Sequence, residues 1–189
     1  MEIPGDAEIR ELHRTYAPSR EAFEVVFEHC RLVCSVASQF FAGLDVDTDL
    51  VRAGALLHDI GVYRLEASAY VRHGVLGHEL LASLGLPLEV CRFCSCHTGV
   101  GITRDDVVRQ GLPIPVADYL PRTPEEELVM YADKFHSKRT PPVFLSANTY
   151  ATEVRRFGPE KVQRFGELRE RYGEPALGGL SAATGYAVV

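Results

Sequence analysis

Val51-Arg52-Ala53-Gly54-Ala55-Leu56-Leu57-His58-Asp59-Ile60-Gly61 is the stretch on which the fold turns. An apolar run ends in a histidine beside a carboxylate. Burying such a pair costs several kcal/mol unless a partner offsets it, and a bound cation is one such partner. Asp47 or Thr48 caps a helix carrying this run as far as His58-Asp59, and Gly61 is expected to stop it.

Outward from this stretch the pattern is helical almost throughout. Ser19 caps a helix to about Phe41, with Phe23, Val26, Phe27, Cys30, Val33, Cys34 and Ala37 on its apolar face. A third helix spans about Ala69 to Leu84 and closes at Gly85, and Pro87 opens a fourth that reaches about Cys96. Thr103 starts a short helix ending near Gln110-Gly111. The stretch from Gly111 to Pro124 holds four prolines, Pro124 included, and reads as an ordered loop. Thr123-Pro124-Glu125-Glu126 reads as a cap, an N-terminal proline and the glutamate of a capping box, opening a helix with Leu128, Val129, Ala132 and Asp133. Charged helices at about Ser146–Phe157 and Pro159–Tyr172 pack outside, and the Gly/Ala-rich tail from Glu174 to Val189 is expected to be loose or a contact arm. With no convincing alternating strand, the fold class is all-α, a bundle of about seven to nine helices in a single domain. The expected boundaries are 1–18 for an N-terminal segment, 19–140 for the main domain, 141–173 for C-terminal helices packed on it, and 174–189 for the tail.

Composition narrows the function classes. The 189 residues are 46% hydrophobic, enough for a full core, and the net charge of -6 contains no long block of like charge. No dedicated nucleic-acid surface is expected. The N-terminus lacks a signal-peptide pattern, and no apolar stretch approaches the ~20 residues of a membrane span. Five cysteines, an odd count, fit a reducing cytoplasm better than a disulfide framework. A cytoplasmic protein is expected, with no membrane partner and room for a homodimer.

Four further groups fit the same site as His58 and Asp59. His29 lies mid-helix beside an apolar face. His73 begins the turn His73-Gly74-Val75-Leu76-Gly77-His78, whose glycines permit close backbone approach. His97 follows the fourth helix, and Asp133 is an acid on an otherwise apolar face. Five helices would each supply one or two ligands to a common centre, as in metal sites inside bundles. Any one of these groups alone is more often a hydrogen-bonded core residue. Their joint occurrence is what points to a metal. The mixed nitrogen and oxygen set suits Fe, Mn, Co, Ni or Zn, as one ion or as two bridged by Asp59 at ~3.5–4 Å.

His29, then His58-Asp59-Ile60-Gly61, then Asp133, on successive helices, resembles the HD-domain superfamily of metal-dependent phosphohydrolases, in the HDIG form of its doublet. The added His73 and His97 resemble the subset with a binuclear centre. The resemblance runs from roughly Phe23 to Lys138. It implies hydrolysis of a nucleotide or other small phosphate ester or anhydride by a metal-bound hydroxide, with His29, His58, Asp59 and Asp133 on one ion and Asp59, His73 and His97 on the other. No Gly-Tyr-Pro signature of the cyclic-di-GMP branch is present. Some members hold phosphate with a lysine shortly after the doublet; here Val62-Tyr63-Arg64 follows, which passes that role to Arg64.

Arg64, Arg72, Lys134 and Lys138 are the candidate phosphate contacts, and His78 the candidate proton donor, although solvated charge and a surface or core histidine are the plainer readings. Lys134 gains weight by adjoining Asp133 and joins Asp59 and His78 as a catalytic candidate. Cys91-x-x-Cys94-x-Cys96-His97 lacks a second pair at zinc-finger spacing, so His97 is assigned to the main site. Two alternatives stay open. The same ligands resemble those of HD-type mixed-valent di-iron oxygenases, and a metal or nucleotide sensor would bind without turnover. Pocket shape is expected to depend on Tyr63–Arg72 and on the loop from Gly111 to Pro124.

Overall fold

Ser19 accepts a hydrogen bond from Ala22 N and Asp47 accepts from Asp49 N and Leu50 N, so the two helices that carry the doublet and its first partner start where their cap residues place them. The computed structural model describes residues 2–65 and 69–189. Residues 66–68, part of the stretch expected to shape the pocket, lie outside the described ones. The helices are α1 (Asp6–Tyr16), α2 (Arg20–Ser38), α3 (Thr48–Leu57), α4 (His73–Ser83), α5 (Leu88–Cys96), α6 (Arg104–Gln110), α7 (Pro124–Ala132), α8 (Ala147–Glu153), α9 (Pro159–Tyr172) and α10 (Leu177–Thr184). The fold is all-α, as the periodicity predicts.

Packing divides into two apolar clusters that share α3. Val51 and Ala55 face Val33, Val36, Val129, Met130, Tyr131, Phe135 and Phe144. Ala53, Leu56 and Leu57 face Ile9, Ile60, Leu80, Leu81, Val90 and Cys94. The α3 run is therefore buried nearly all round, and the doublet emerges from its end into the interior. Helix α1, which the sequence left as an undivided N-terminal segment, packs through Ile9 and His13, both 0% exposed.

Several expectations need correction. Gly61 does not stop the helix. The chain passes through it in a 3-10 segment, Ile60–Arg64, and the glycine serves close approach instead: a Cβ there would lie 2.0 Å from His73 O and 2.3 Å from Gly77 N. Glu126 does not close a capping box. Thr123 caps α7, but the Glu126 carboxylate binds Arg92 Nε and Nη2 at 2.6 and 2.9 Å and Arg122 N at 2.6 Å, because a buried carboxylate is drawn to a guanidinium. The capping box is in α6, between Thr103 and Asp106. Three two-residue strands also form, too short for any alternation to show: β1 (His136–Ser137) pairs antiparallel with β2 (Val143–Phe144), which pairs parallel with β3 (Ala187–Val188). The tail is thus neither loose nor an arm. Leu177 packs into the larger cluster, Leu180 and Tyr186 pack against it, and Val189 bonds Ser146 N and Phe144 O.

Candidate metal centre

Three helices end at the cluster: His58 follows α3, His97 follows α5 and Asp133 follows α7, each as the C-cap residue. The partial negative charge of a helix C-terminus favours a cation there. His29 comes from the buried face of α2, and His73 is the first residue of α4. Asp59 sits at φ -106°, ψ 8°, in the sparsely occupied region between α and β where active-site residues recur. The six groups named from the sequence are brought together, in overlapping sets whose ligand atoms lie within 4.8 Å of one another: His29, His58 and Asp59; His58, His97 and Asp133; Asp59, His73 and His97.

The histidines are held in the orientation that ligation needs. His58 Nδ1 donates to Ala55 O (2.7 Å), His73 Nδ1 to Tyr70 O (2.6 Å) and His97 Nδ1 to Phe93 O (3.0 Å). A proton fixed on Nδ1 leaves Nε2 bare. The bare nitrogens then converge, with His73 Nε2 2.9 Å from His97 Nε2 and His29 Nε2 3.2 Å from His58 Nε2. In the His73–His97 pair, where both rings are shifted towards the neutral form, lone pair facing lone pair is repulsive without a cation between. Two nitrogens each about 2.1 Å from one ion, at right angles, lie about 3 Å apart.

Asp59 divides its oxygens between these pairs. Oδ2 lies 3.3 Å from His29 Nε2 and 3.8 Å from His58 Nε2, whereas Oδ1 lies 3.4 Å from His73 Nε2 and 3.5 Å from His97 Nε2. Oδ1 is buried and has no hydrogen-bond partner among the described residues, an arrangement that costs about 1–3 kcal/mol unless something binds it. Asp133 Oδ1 faces His29 Nε2 at 3.0 Å and His58 Nε2 at 3.5 Å. These donors fit divalent metal ions.

Burial raises both carboxyls, but charge overrides it. Lys138 and His58 hold Asp59 well below the usual carboxylate range, and Lys134 with His29 and His58 does the same for Asp133. Burial lowers His29 to about 3 and His73 to about 4, so both imidazoles are neutral, as ligands must be. Burial lowers His58 too, but the groups facing it, Asp59 and Asp133 among them, hold it well above its ordinary value, so it carries a proton that a bound cation would displace.

The other candidates separate clearly. Lys138 bonds Asp59 Oδ2 through Nζ, and the residue also lines a cleft of about 1070 Å³ together with Phe23, Phe27, Arg31, His136 and Tyr186. Lys134 is buried, donating to Asp133 Oδ2 (2.6 Å) and His97 O (3.0 Å). Arg64 and Arg72 are exposed, and among the described residues neither bonds the cluster through its side chain. His78, half-buried, takes Ser95 Oγ as its partner at 3.2 Å. All five cysteines are free; Cys94 donates to Leu57 O and acts as a small core residue. Two buried histidines escaped the sequence reading. His13 spans Leu56 O (2.7 Å) and Tyr63 Oη (2.9 Å), and His136 Nδ1 meets His29 Nδ1 at 2.8 Å. The composition of seven histidines was the only signal for either.

The family profile of the HD domain matches residues 26–138, well over half of the chain. The chain belongs to the HD-domain family. This HD domain is 41% identical over 123 residues to an uncharacterized protein of Methanocaldococcus jannaschii, across 61% of this chain and 70% of that protein. It is 36% identical over 119 residues to the tRNA (cytidine(56)-2'-O)-methyltransferase of Picrophilus torridus, across 63% of this chain but 33% of the enzyme. The chain therefore spans about a third of that relative. Among solved structures it resembles the HD domain of the Listeria monocytogenes phosphodiesterase PgpH, with a TM-score of 0.51 and 14% identity over 85% of this chain and 94% of that one. At that identity the likeness is one of fold. Among the described residues no helix is long and apolar enough to cross a membrane.

Proposed function

We propose that this HD domain is a metal-dependent phosphohydrolase of the HDIG subgroup, acting on a nucleotide or another small phosphate ester or anhydride at a centre of two divalent transition-metal ions. The division of the Asp59 oxygens between two imidazole pairs carries this reading. His29, His58, Asp59 and Asp133 would hold one ion, and Asp59, His73 and His97 the other. Ions held there supply Lewis acidity, lowering the pKa of a water to about 7 and neutralising phosphoryl charge. Nucleotide chemistry gains support from the PgpH HD domain, which was solved in complex with cyclic-di-AMP. The methyltransferase name belongs to a relative three times the length of the matched stretch and is not carried over.

The remaining groups take their roles from where they sit. Lys138 joins the cluster to the cleft, so its ammonium is the phosphate contact nearest the reacting centre. Lys134, buried against Asp133 and His97 O, fixes the orientation of that carboxylate. Arg64 and Arg72, exposed on either side of residues 66–68, are outer phosphate contacts in this reading. The cleft walls are of mixed charge, with Arg10, Arg31, Arg52 and Arg139 against Asp6, Glu21, Glu24 and Glu28, so Lys138 and His136 at its inner side are the groups this reading relies on.

The test is Asp59→Ala, with metal content and hydrolysis of a panel of phosphate esters measured together. Both ions and all turnover are expected to be lost, and hydrolysis by metal-free protein would overturn the assignment. Oxygen uptake by the iron-loaded wild type is followed in parallel, since substrate-dependent uptake would favour an oxygenase using the same ligands.

A further inference from the structure

Three of the four clustered imidazoles rest their Nδ1–H on a backbone carbonyl. The fourth rests on a side chain: His29 Nδ1 lies 2.8 Å from His136 Nδ1. If His29 Nε2 is a ligand, His29 donates from Nδ1 and His136 accepts at Nδ1. A neutral imidazole that accepts at Nδ1 carries its proton on Nε2. That second nitrogen of His136 is buried and has no hydrogen-bond partner among the described residues, although the residue, 5% exposed, lines the large cleft. Buried donors are nearly always satisfied, so an orphaned one calls for an account.

The ring is held firmly. Phe144 meets it edge-on with centroids 5.3 Å apart, and Tyr186 lies against it at 5.9 Å, so β2 and the segment leading into β3 both brace β1. Lys138 follows one residue after the end of β1. His136 and Lys138 both line the cleft, and the Lys138 charge acts on the His136 ring.

We propose that His136 couples the metal centre to the substrate: its Nδ1 keeps His29 Nε2 turned towards the ion, and its Nε2–H donates to a phosphoryl oxygen bound in the cleft beside Lys138. It is a positioning residue for the metal through one nitrogen and a recognition residue for a phosphate anion through the other. This rests on the phosphohydrolase reading for its ligand, but the metal half stands without it.

Two variants of the full chain separate the two nitrogens. In His136→Asn the carboxamide oxygen reaches the Nδ1 position and can still accept from His29, while the outer donor is lost. In His136→Gln the amide nitrogen reaches the Nε2 position, while the inner acceptor is lost. Manganese affinity is read by competition with a chelator, and binding of inorganic phosphate by calorimetry at saturating manganese; neither assay needs turnover. The expected pattern is reciprocal. His136→Asn keeps manganese affinity within about threefold and weakens phosphate about tenfold, whereas His136→Gln weakens manganese by about 10–100-fold and largely keeps phosphate binding. Wild-type phosphate affinity in His136→Asn, or equal losses of both affinities in the two variants, would overturn the proposal. Failure of wild-type protein to hydrolyse any phosphate ester, with the manganese difference intact, would sink the phosphohydrolase reading and spare the positioning role.

Discussion

Asp59 concentrates the chemistry of this chain in two oxygen atoms. Each oxygen faces its own pair of imidazoles, so removing a histidine from one side should leave the other ion bound. His73→Ala is expected to lower the metal stoichiometry from two to one, and Asp59→Ala to lower it to none, as counted by elemental analysis of dialysed protein. Lys138 adds a prediction with an unusual sign. Its ammonium sits on Asp59 Oδ2, where it would compete with a cation, yet as the proposed phosphate contact it would draw the substrate. Lys138→Met should therefore bind manganese at least as tightly as the wild type while the KM for a phosphate ester rises about tenfold, the scale of one lost charge-assisted contact. The six clustered residues were legible in the sequence because each is a polar group interrupting an apolar helical face or ending a helix. His136 and His13 were not. Nothing in Phe135-His136-Ser137 sets that histidine apart until β1 pairs with β2 and turns its ring under α2.

Helix ends and helix contacts carry the site at the next scale. Caps at Ser19, Asp47, Thr103 and Thr123 were readable because a cap is a local signal within four residues. What a glycine is for is not local. Gly61 looked like a terminator, yet its absent side chain is what lets the 3-10 segment lie on α4, with His73 O and Gly77 N in the space a Cβ would fill. Gly74 repeats the device against α5, where a Cβ would lie 2.7 Å from Cys94 O. The obstructing atoms are backbone, so neither contact can be relieved by a rotamer change. Gly61→Ala must push α4, and His73 with it, away from Asp59. The expected result is a loss of about 1–3 kcal/mol of stability together with weakened binding of one ion, measured by denaturant unfolding and metal titration. Unchanged metal affinity in a folded Gly61→Ala protein would show that α4 does not locate His73. The tail was misjudged for a related reason, since its Gly/Ala composition conceals Leu177, Leu180 and Tyr186, whose partners are distant in the chain.

For the molecule as a whole, the buried histidines make stability a function of pH and of metal. Burial lowers His13 to about 4, against about 6.5 when unfolded. Between those values the unfolded chain binds more protons, so stability falls as pH drops from about 6.5 towards 4. His13 alone contributes up to about 3 kcal/mol to that loss. His29 and His73 shift the same way, and Asp59 and Asp133, held low, add their own loss at still lower pH. His58, which burial lowers but the carboxylates facing it hold well above its ordinary value, opposes the trend. Metal acts in the same direction, because neutral imidazoles bind cations and imidazoliums do not. With free metal at 100 times its dissociation constant, each ion would stabilise the fold by about 2.7 kcal/mol at pH 7. For a chain of this length that is a Tm difference of about 5–10 °C per ion between metal-loaded and chelator-treated protein. The difference should shrink as pH falls to 5, while the chelated protein itself melts progressively earlier. Differential scanning calorimetry of loaded and chelated samples at pH 7, 6 and 5 reads both effects. His13→Gln, whose amide carries no charge, should flatten the pH slope of the chelated protein and leave the metal increment at pH 7 unchanged. Because His58 opposes the lowered histidines, the deciding comparison is between this variant and the wild type: an unchanged pH slope in chelated His13→Gln would mean that His13 is solvated in solution.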